Sequence, residues 1–285
     1  MLEALQFEFM RNALLAGLMA SIICGVIGTL VVVNRIVFLA GGIAHAAYGG
    51  IGLSFFMGWP YLAGTVGFAL VAALVMAMVT LRLRHRADTV IGVIWAVGMA
   101  SGIILIDLTP GYNVDLMSYL FGSILAVPGA DLFQMFVASL VILVILLFYY
   151  KGFLAMSYDE EFARLRGVPV GLLYFLMIAM VAVSVVITIR VVGLILVIAL
   201  LTIPPFIAEK YSGSLASMMA IAGLLSAVFT YCGLWLAYSA NLTSGAAIIM
   251  VAGVGFFASM LIEKIRGAAR RKKNQQTANT STSPP

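Results

Sequence analysis

The stretch YDEEFARLRGVPV, Tyr158–Val170, is a charged segment between two long apolar runs. Acidic residues come first and arginines follow, an order that suits the dipole of a short helix, and Gly167 and Pro169 then end it. Phe162 and Leu165 are three residues apart and share one face of that helix. We therefore predict a short helix whose apolar edge presses into a partner, although a solvated loop would have a similar composition. The charged residues of the stretch are Asp159, Glu160, Glu161, Arg164 and Arg166.

The apolar runs on both sides of this stretch indicate a membrane protein. Hydrophobic residues make up 64% of the 285 residues, and the mean hydropathy is +1.15, far above the values of soluble domains. The runs lack the period-two alternation of a membrane β-barrel. We therefore predict an all-α, polytopic transmembrane helical bundle.

The number of spans follows from the lengths of the apolar runs. Runs near or above about 18 residues, the length that a helix needs to cross a bilayer, recur along the chain. Because the second run is short and rich in glycine, eight full spans and one broken span are an alternative to nine. The nine predicted spans lie at about 12–33, 41–57, 60–81, 89–107, 130–150, 170–189, 191–209, 214–237 and 244–263.

The distribution of basic residues predicts the orientation. If the amino terminus lies outside, all of the 16 Lys and Arg residues except Arg11 and Arg190 fall on the inner face. The positive-inside rule requires such an asymmetry, and an odd number of crossings then gives a cytoplasmic carboxyl terminus. The net charge of +5 is therefore a signal of topology and not of nucleic-acid binding. We expect a multi-pass protein of the cell (inner, cytoplasmic) membrane.

The two ends of the chain differ in composition. The first run follows a segment with two glutamates and one arginine instead of a basic region, so we expect no cleavable signal peptide. Residues 1–265 are expected to form a single transmembrane domain. Residues 266–285 are basic and then polar, and we expect a disordered cytoplasmic tail whose basic part could contact anionic membrane lipid. Cys24 and Cys232 fall inside predicted spans, so neither a disulfide nor a reactive thiolate is expected.

A histidine near the start of the second span is the main candidate for a permeation site. His45 lies in FLAGGIAHAAYGGIGL, residues 38–53. Glycines such as Gly41, Gly49 and Gly50 let helix backbones approach closely or permit an unwound stretch that exposes carbonyls, and either could serve gating. A histidine inside a span costs free energy unless it faces a cavity or finds a partner, and imidazole suits zinc and other first-row divalent ions. A histidine that is only hydrogen-bonded to a carbonyl is the alternative.

Carboxylates and prolines supply further candidates. Asp107 closes the fourth span and Asp115 follows it, so both could draw divalent ions to a pore mouth, or both could be ordinary outer-loop carboxylates. Pro204 and Pro205 stand late in an apolar run, and proline kinks or ends a helix. That break could act as a gate or be a structural bend.

Several enzyme motifs are absent from the sequence. There is no GxxxxGK[ST] phosphate loop, so this chain cannot bind ATP in that way, and there is no HExxH or GxSxG motif. The chain has only two histidines and few carboxylates within its spans. We therefore expect no catalytic residues, and an intramembrane enzyme is disfavoured.

Several stretches, in order along the chain, resemble one known family. They are FLAGGIAHAAYGG (38–50), DTVIGVIWAVG (88–98), DLMSYLFGSILAV (115–127), YDEEFARLRGVPV (158–170) and VVGLILVIALLTIPPFIA (191–208). From about Leu14 to Ile262 the chain resembles the permease subunit of the ABC-type zinc/manganese/iron importer family.

The resemblance implies an assembly. It would comprise two copies of this chain with a pore between them, a cytoplasmic ABC ATPase dimer that hydrolyses the ATP, and an extracytoplasmic metal-binding protein that delivers the metal. The stretch Asp159–Gly167 would sit in a groove of the ATPase and transmit its closure. The coupling residues would be Asp159, Glu160, Glu161, Phe162, Arg164, Leu165 and Gly167.

The same resemblance identifies His45 as the metal-contacting residue. The family's aspartate four residues earlier is replaced by Gly41, and its proline after the histidine by Gly49. A backbone carbonyl, the His45 of a second copy or a carboxylate such as Asp107 could substitute as ligand. No cofactor is expected on this chain, and the expected cargo is a divalent metal, zinc first and manganese or iron next. A permease for a metal chelate or a vitamin, with a wide neutral pore, is the alternative.

Overall fold

The computed structural model of the chain describes residues 6–82, 86–110, 116–122 and 124–281, and every regular element in them is helical. The predicted all-α class is confirmed. A 3-10 turn at Ile124–Ala126 lies between the fifth and sixth helices. The α-helices are α1 (Glu8–Val33), α2 (Val37–Met57), α3 (Tyr61–Arg82), α4 (Ala87–Asp107), α5 (Leu116–Phe121), α6 (Gly129–Tyr158), α7 (Glu160–Leu165), α8 (Val170–Val192), α9 (Leu194–Glu209), α10 (Leu215–Ala240) and α11 (Ser244–Ser281).

Eight helices of the described residues are long and apolar enough to span a membrane, and α9, with 16 residues, is the shorter one beside them. The expectation that the second span could be the broken one was wrong, because α2 is a continuous helix of 21 residues. The break falls instead at Gly193, whose backbone has φ 85° and ψ 160° and separates α8 from α9. Such a conformation ends a helix because it cannot continue the i to i−4 hydrogen bonds.

Contacts between helix ends show how the chain runs through the bundle. At one end, Asn34 donates a hydrogen bond to the Ser157 hydroxyl at 3.0 Å, and Lys210 pairs with Glu263 at 2.7 Å. These contacts bring the ends of α1, α6 and α9 to the same side as the end of the apolar, span-length part of α11, Ser244–Ile265. At the opposite end, the side-chain amide of Asn12, near the start of α1, donates to the Val127 carbonyl at 3.2 Å. Because α9 ends beside Glu263, near the end of the apolar part of α11, α9 crosses the bundle as the longer helices do. The first span therefore begins on one face of the bundle, and the last span ends on the opposite face.

Among the eight long helices, α1, α2 and α8 are the most enclosed, and they contribute many residues to the main core. The other spans lie around them and expose apolar side chains, such as Leu147 and Phe148 on α6, which are 74% and 80% exposed. Large apolar side chains at such exposure are stable only against lipid or another protein. The burial pattern therefore agrees with a multi-pass membrane protein.

Helices α2 and α4 run in the same direction with their backbones in contact. A Cβ added to Gly42 would lie 2.6 Å from the Ile91 side chain, and one added to Gly49 would lie 2.7 Å from the Gly98 carbonyl oxygen. Glycine permits this approach because it has no side chain. Gly42 and Gly49 therefore serve close packing within a regular helix, and the alternative of an unwound stretch was wrong.

Two other glycines join α5 to the break between α8 and α9. Gly122 has φ +67° and Gly193 has φ +85°, and a Cβ on either residue would overlap the backbone of the other. Both residues need a conformation that L side chains rarely adopt. The short segment around α5 is thereby held against the start of α9.

The end of the chain differs from its prediction. Helix α11 continues to Ser281, through most of the stretch 266–285 that was expected to be a disordered tail. Residues 268–276 contain Ala, Arg, Lys and Gln, which are good helix formers, and no proline follows until the last two positions of the chain. A helix can therefore extend beyond the apolar run that precedes it.

Candidate functional site

His45 lies in the first half of α2 and is partly exposed. Its Nδ1 is 2.9 Å from the carbonyl oxygen of Gly41, one turn earlier. Because a carbonyl only accepts, Nδ1 carries the proton in this hydrogen bond, and Nε2 is left with a lone pair. Metal-binding histidines are commonly held in this way by a hydrogen bond through the other ring nitrogen.

The second neighbour of the imidazole is an indole. The Trp95 ring, on α4, stacks on the His45 ring with centroids 4.0 Å apart and planes inclined by 29°. Phe38, one helical turn before Gly41, lies 6.0 Å from the same indole. A Cβ on Gly41 or on Gly92 would meet no atom within 4 Å. The His45 ring is therefore fixed on two sides and lies on a face of the protomer that its own helices leave open.

The structure does not bring the predicted carboxylates to His45. Trp95 is level with His45, and Asp107 lies at the exposed end of α4, about 18 Å further along that helix. Asp115 lies outside the described residues. Within those that are described, no group of three or more His, Cys, Asp or Glu residues is placed to hold a metal ion.

Helix α5 approaches α2 next to the histidine. The Tyr119 hydroxyl donates to the Ala44 carbonyl at 3.0 Å, and the Tyr119 ring packs edge-on against Tyr48 with centroids 4.7 Å apart. Sequence reasoning missed this contact, because nothing in the segment before the fifth span, which α6 forms, indicates a helix that folds back into the bundle. The backbone beside His45 is therefore in contact with the segment that connects α4 to α6.

An ion pair lies at the same end of the bundle as α5. Arg190, near the end of α8, pairs with the buried Asp131 at 3.1 Å, and its guanidinium lies 5.0 Å from the centre of the Tyr61 ring. It thus joins the ends of α3, α6 and α8. Arg190 was counted only as an exception to the charge asymmetry, and the structure gives it a partner.

The charged stretch forms helix α7, as predicted. The Asp159 side chain accepts a hydrogen bond from the Phe162 backbone N–H at 2.9 Å, which caps the start of the helix. Glu160 and Arg164 pair at 2.6 Å on its surface. At the other end, Gly167 has φ +78°, a left-handed conformation that stops the helix.

The exposed side of α7 is apolar at two positions. Ala163 is buried against the bundle, whereas Phe162 and Leu165 are 52% and 87% exposed. The Arg166 guanidinium lies 5.1 Å from the Phe162 ring centre. Much of this apolar edge is not covered by the protomer itself, so it is available for another protein.

A small polar cavity of about 270 Å³ lies behind α7. It separates α7 from the turn between α1 and α2 and from the ends of α3 and α8. Arg35, in that turn, has φ +57°, which is uncommon for a residue with a side chain. The polar residues that line the cavity are Asn34, Arg35, Thr80, Glu160, Arg164 and Tyr174.

Helix α9 continues through both of its prolines. Pro204 and Pro205 are buried, and a Cβ on Gly28 of α1 would lie 2.8 Å from the Pro205 ring. The prolines therefore do not end the helix, and Pro205 lies at a close contact between α9 and α1. Gating by Pro204, Pro205, Gly41, Gly49 or Gly50 stays a prediction.

A family match accounts for this arrangement as a whole. Residues 6–263 match the ABC 3 transport family, which is most of the chain. The chain belongs to the ABC 3 transport family. The resemblance found in the separate sequence stretches is thereby confirmed, and the protein is a multi-pass membrane protein of this family.

Individual members of the ABC 3 transport family are similar over nearly their full length. An uncharacterized membrane protein of Synechocystis sp. is 49% identical over 264 residues, 93% of this chain and 94% of its own length. The manganese transport system membrane protein MntC of Listeria monocytogenes is 31% identical and covers 95% of this chain and 96% of its own length. The solved structure of PsaBC from Streptococcus pneumoniae in complex with Fab contains a chain with a TM-score of 0.82 and 31% identity, covering 90% of this chain and 93% of that one.

Proposed function

We propose that this chain is the permease subunit of an ATP-driven importer of divalent metal ions. The observation that carries the proposal is the placement of His45: it lies within a membrane span, on an open face, with Nε2 free to bind a metal. Membership of the ABC 3 transport family and the names of the Listeria and other relatives, which are metal or manganese transport proteins, support the same function.

A second copy of the chain completes the pore in this proposal. The face that carries Phe38, Gly41, His45 and Trp95 is not covered by the protomer's own helices. A histidine that faced lipid would cost free energy, whereas a histidine that faced a second copy of the chain would line a shared cavity. Two His45 side chains related by a two-fold axis would then supply two nitrogen ligands, in place of the aspartate that Gly41 replaces.

The remaining partners follow from the two ends of the bundle. The amino terminus lies outside and α7 faces the cytoplasm, as the distribution of Lys and Arg requires. Helix α7 docks in a cytoplasmic ABC ATPase dimer, which hydrolyses ATP, while this chain has no catalytic role. An extracytoplasmic metal-binding protein delivers the ion to the face that holds Asp107 and Asp131.

Zinc is the proposed cargo, ahead of manganese and iron. Imidazole suits zinc, whereas manganese prefers carboxylate and other oxygen ligands. Among the described residues, His45 belongs to no group of three or more His, Cys, Asp or Glu side chains that could hold a metal ion. The names of the Listeria relatives favour manganese, so it is the alternative. Uptake of radioactive zinc with manganese, iron or zinc as competitor distinguishes them, and preferential competition by manganese would overturn the choice of zinc.

Replacing His45 with alanine tests the proposed site. We expect high-affinity uptake to fall about ten- to a hundredfold, because the metal loses an imidazole ligand, while the amount of protein in the membrane stays unchanged. The measurement is initial-rate uptake in cells that depend on this transporter. His85→Ala removes the other histidine of the chain and is the matched control.

Two results would contradict parts of the proposal. Uptake at the wild-type rate by His45→Ala would remove this residue from the mechanism. Import of a metal chelate or a vitamin, but of no free divalent ion, would instead favour a permease with a wide neutral pore.

A further inference from the structure

We infer that Trp95 is a positioning residue for the metal site: its indole holds the His45 imidazole with Nε2 towards the open face and stabilises that ring when a metal ion binds. The identity of the bound ion rests on the proposed function, whereas the arrangement of the two rings is taken from the structure. Nothing in the sequence separates Trp95 from the other apolar residues of its span.

The His45 and Trp95 rings lie closer together than the rings of most packed aromatic pairs. Ring centroids of packed aromatic pairs usually lie about 4.5–7 Å apart. Those of His45 and Trp95 are 4.0 Å apart, with the planes inclined by 29°. The hydrogen bond from Nδ1 to the Gly41 carbonyl fixes rotation of the imidazole, and the indole covers one of its faces. Together the two contacts determine the direction in which Nε2 points.

Metal binding strengthens this stack. A metal ion on Nε2 withdraws electrons from the imidazole, which makes the ring more positive. The face of an indole is electron-rich, and tryptophan is the aromatic side chain that attracts cations best. Trp95 therefore stabilises the metal-bound imidazole more than the free one, which increases the affinity for the ion.

The position of the indole is fixed by the packing of its helix. A Cβ on Gly98, one turn after Trp95, would lie 2.9 Å from the Ala46 backbone, so the backbones of α4 and α2 are in close contact at this height. Phe38 borders the indole, 6.0 Å away. The stack is therefore part of the rigid contact between two helices and is in place before the ion arrives.

Substitutions that keep or remove the aromatic ring test the inference in the assembled transporter, with its ATPase and binding protein, in vesicles. We expect Trp95→Leu to raise the KM for zinc about three- to tenfold with a smaller change in the maximal rate, because the aromatic contact is lost. Trp95→Phe retains a ring and should restore most of the affinity. Trp235, 56% exposed on α10, provides the matched control Trp235→Leu, which should behave as the wild type. An unchanged KM in Trp95→Leu would overturn the inference.

A spectroscopic measurement leaves Trp95 in place and does not need transport. The chain has three tryptophans, so Trp59→Phe with Trp235→Phe leaves Trp95 as the only source of indole fluorescence. Addition of zinc to this chain, purified by itself at full length in detergent, should change this emission, and His45→Ala should abolish the change. If the wild type imports no divalent ion, the proposed function fails, but a His45-dependent change in emission would still support the contact. Emission that zinc leaves unchanged would overturn it.

Discussion

The Leu165→Asp variant is expected to reach the membrane in normal amounts and to transport nothing. Leu165 is 87% exposed, so its replacement removes no contact within the protomer. Surface substitutions of this kind usually change the free energy of unfolding by at most about 0.5 kcal/mol. If the apolar edge of α7 lies in a groove of the ATPase, the new carboxylate would be buried there without a partner, at a cost of several kcal/mol. ATP-driven uptake in vesicles and co-purification of the ATPase are the two measurements.

The control for this variant keeps the apolar character of the position. Leu165→Met should transport at close to the wild-type rate, because methionine fills similar space. Replacing Glu161 together with Arg164 should likewise uncouple ATP hydrolysis from uptake. That pair is a less direct test, because Arg164 also holds Glu160 at 2.6 Å and its loss disturbs α7 itself. Wild-type uptake by Leu165→Asp would refute docking through α7.

Replacing Gly193 with alanine is expected to prevent accumulation of the folded protein. Gly193 has φ 85° and ψ 160°, a region that is essentially restricted to glycine and costs about 1–3 kcal/mol for other residues. The added methyl group would also overlap the backbone of Gly122 and of Phe121. Neither backbone can move without separating α5 from the start of α9. The measurement is the amount of monodisperse protein after detergent extraction, together with its thermal unfolding.

A second glycine supplies the comparison for Gly193. A Cβ on Gly67, in α3, would meet no atom within 4 Å, and alanine is the better helix former. Gly67→Ala should therefore accumulate at least as well as the wild type. Equal yields of the Gly193 and Gly67 variants would show that the close contact at Gly122 is not required for folding.

The sequence predicted the helical spans because membrane helices depend on local composition. It also predicted α7, since the order of acidic and basic residues and the glycine after them are local signals. The predicted ends of the spans were less accurate: α6 was expected to end near residue 150 but continues to Tyr158. Apolar composition ends at the membrane surface, whereas helical hydrogen bonding does not. The boundary between the predicted spans 170–189 and 191–209 lies close to the observed break at Gly193, but composition does not indicate the backbone conformation that produces this break.

The surroundings of the candidate site could be predicted only in part. His45 was identified because an ionisable residue inside an apolar run is unusual. Trp95 and Tyr119 could not be found in this way, because aromatic residues are common in such runs. Their roles depend on which helices are neighbours and how each is rotated. The parallel contact of α2 and α4 supplies that information, and the sequence of one chain does not.

Helix α9 has only 16 residues, yet it decides where the two ends of the chain are found. Without this crossing both ends would be in the same compartment. If the amino terminus lies outside, as we propose, a reporter protein fused after Pro285 would mature in the cytosol, whereas one fused before Met1 would have to be exported. Tags for purification or imaging are therefore best placed at the carboxyl end, where they do not burden insertion of the first span.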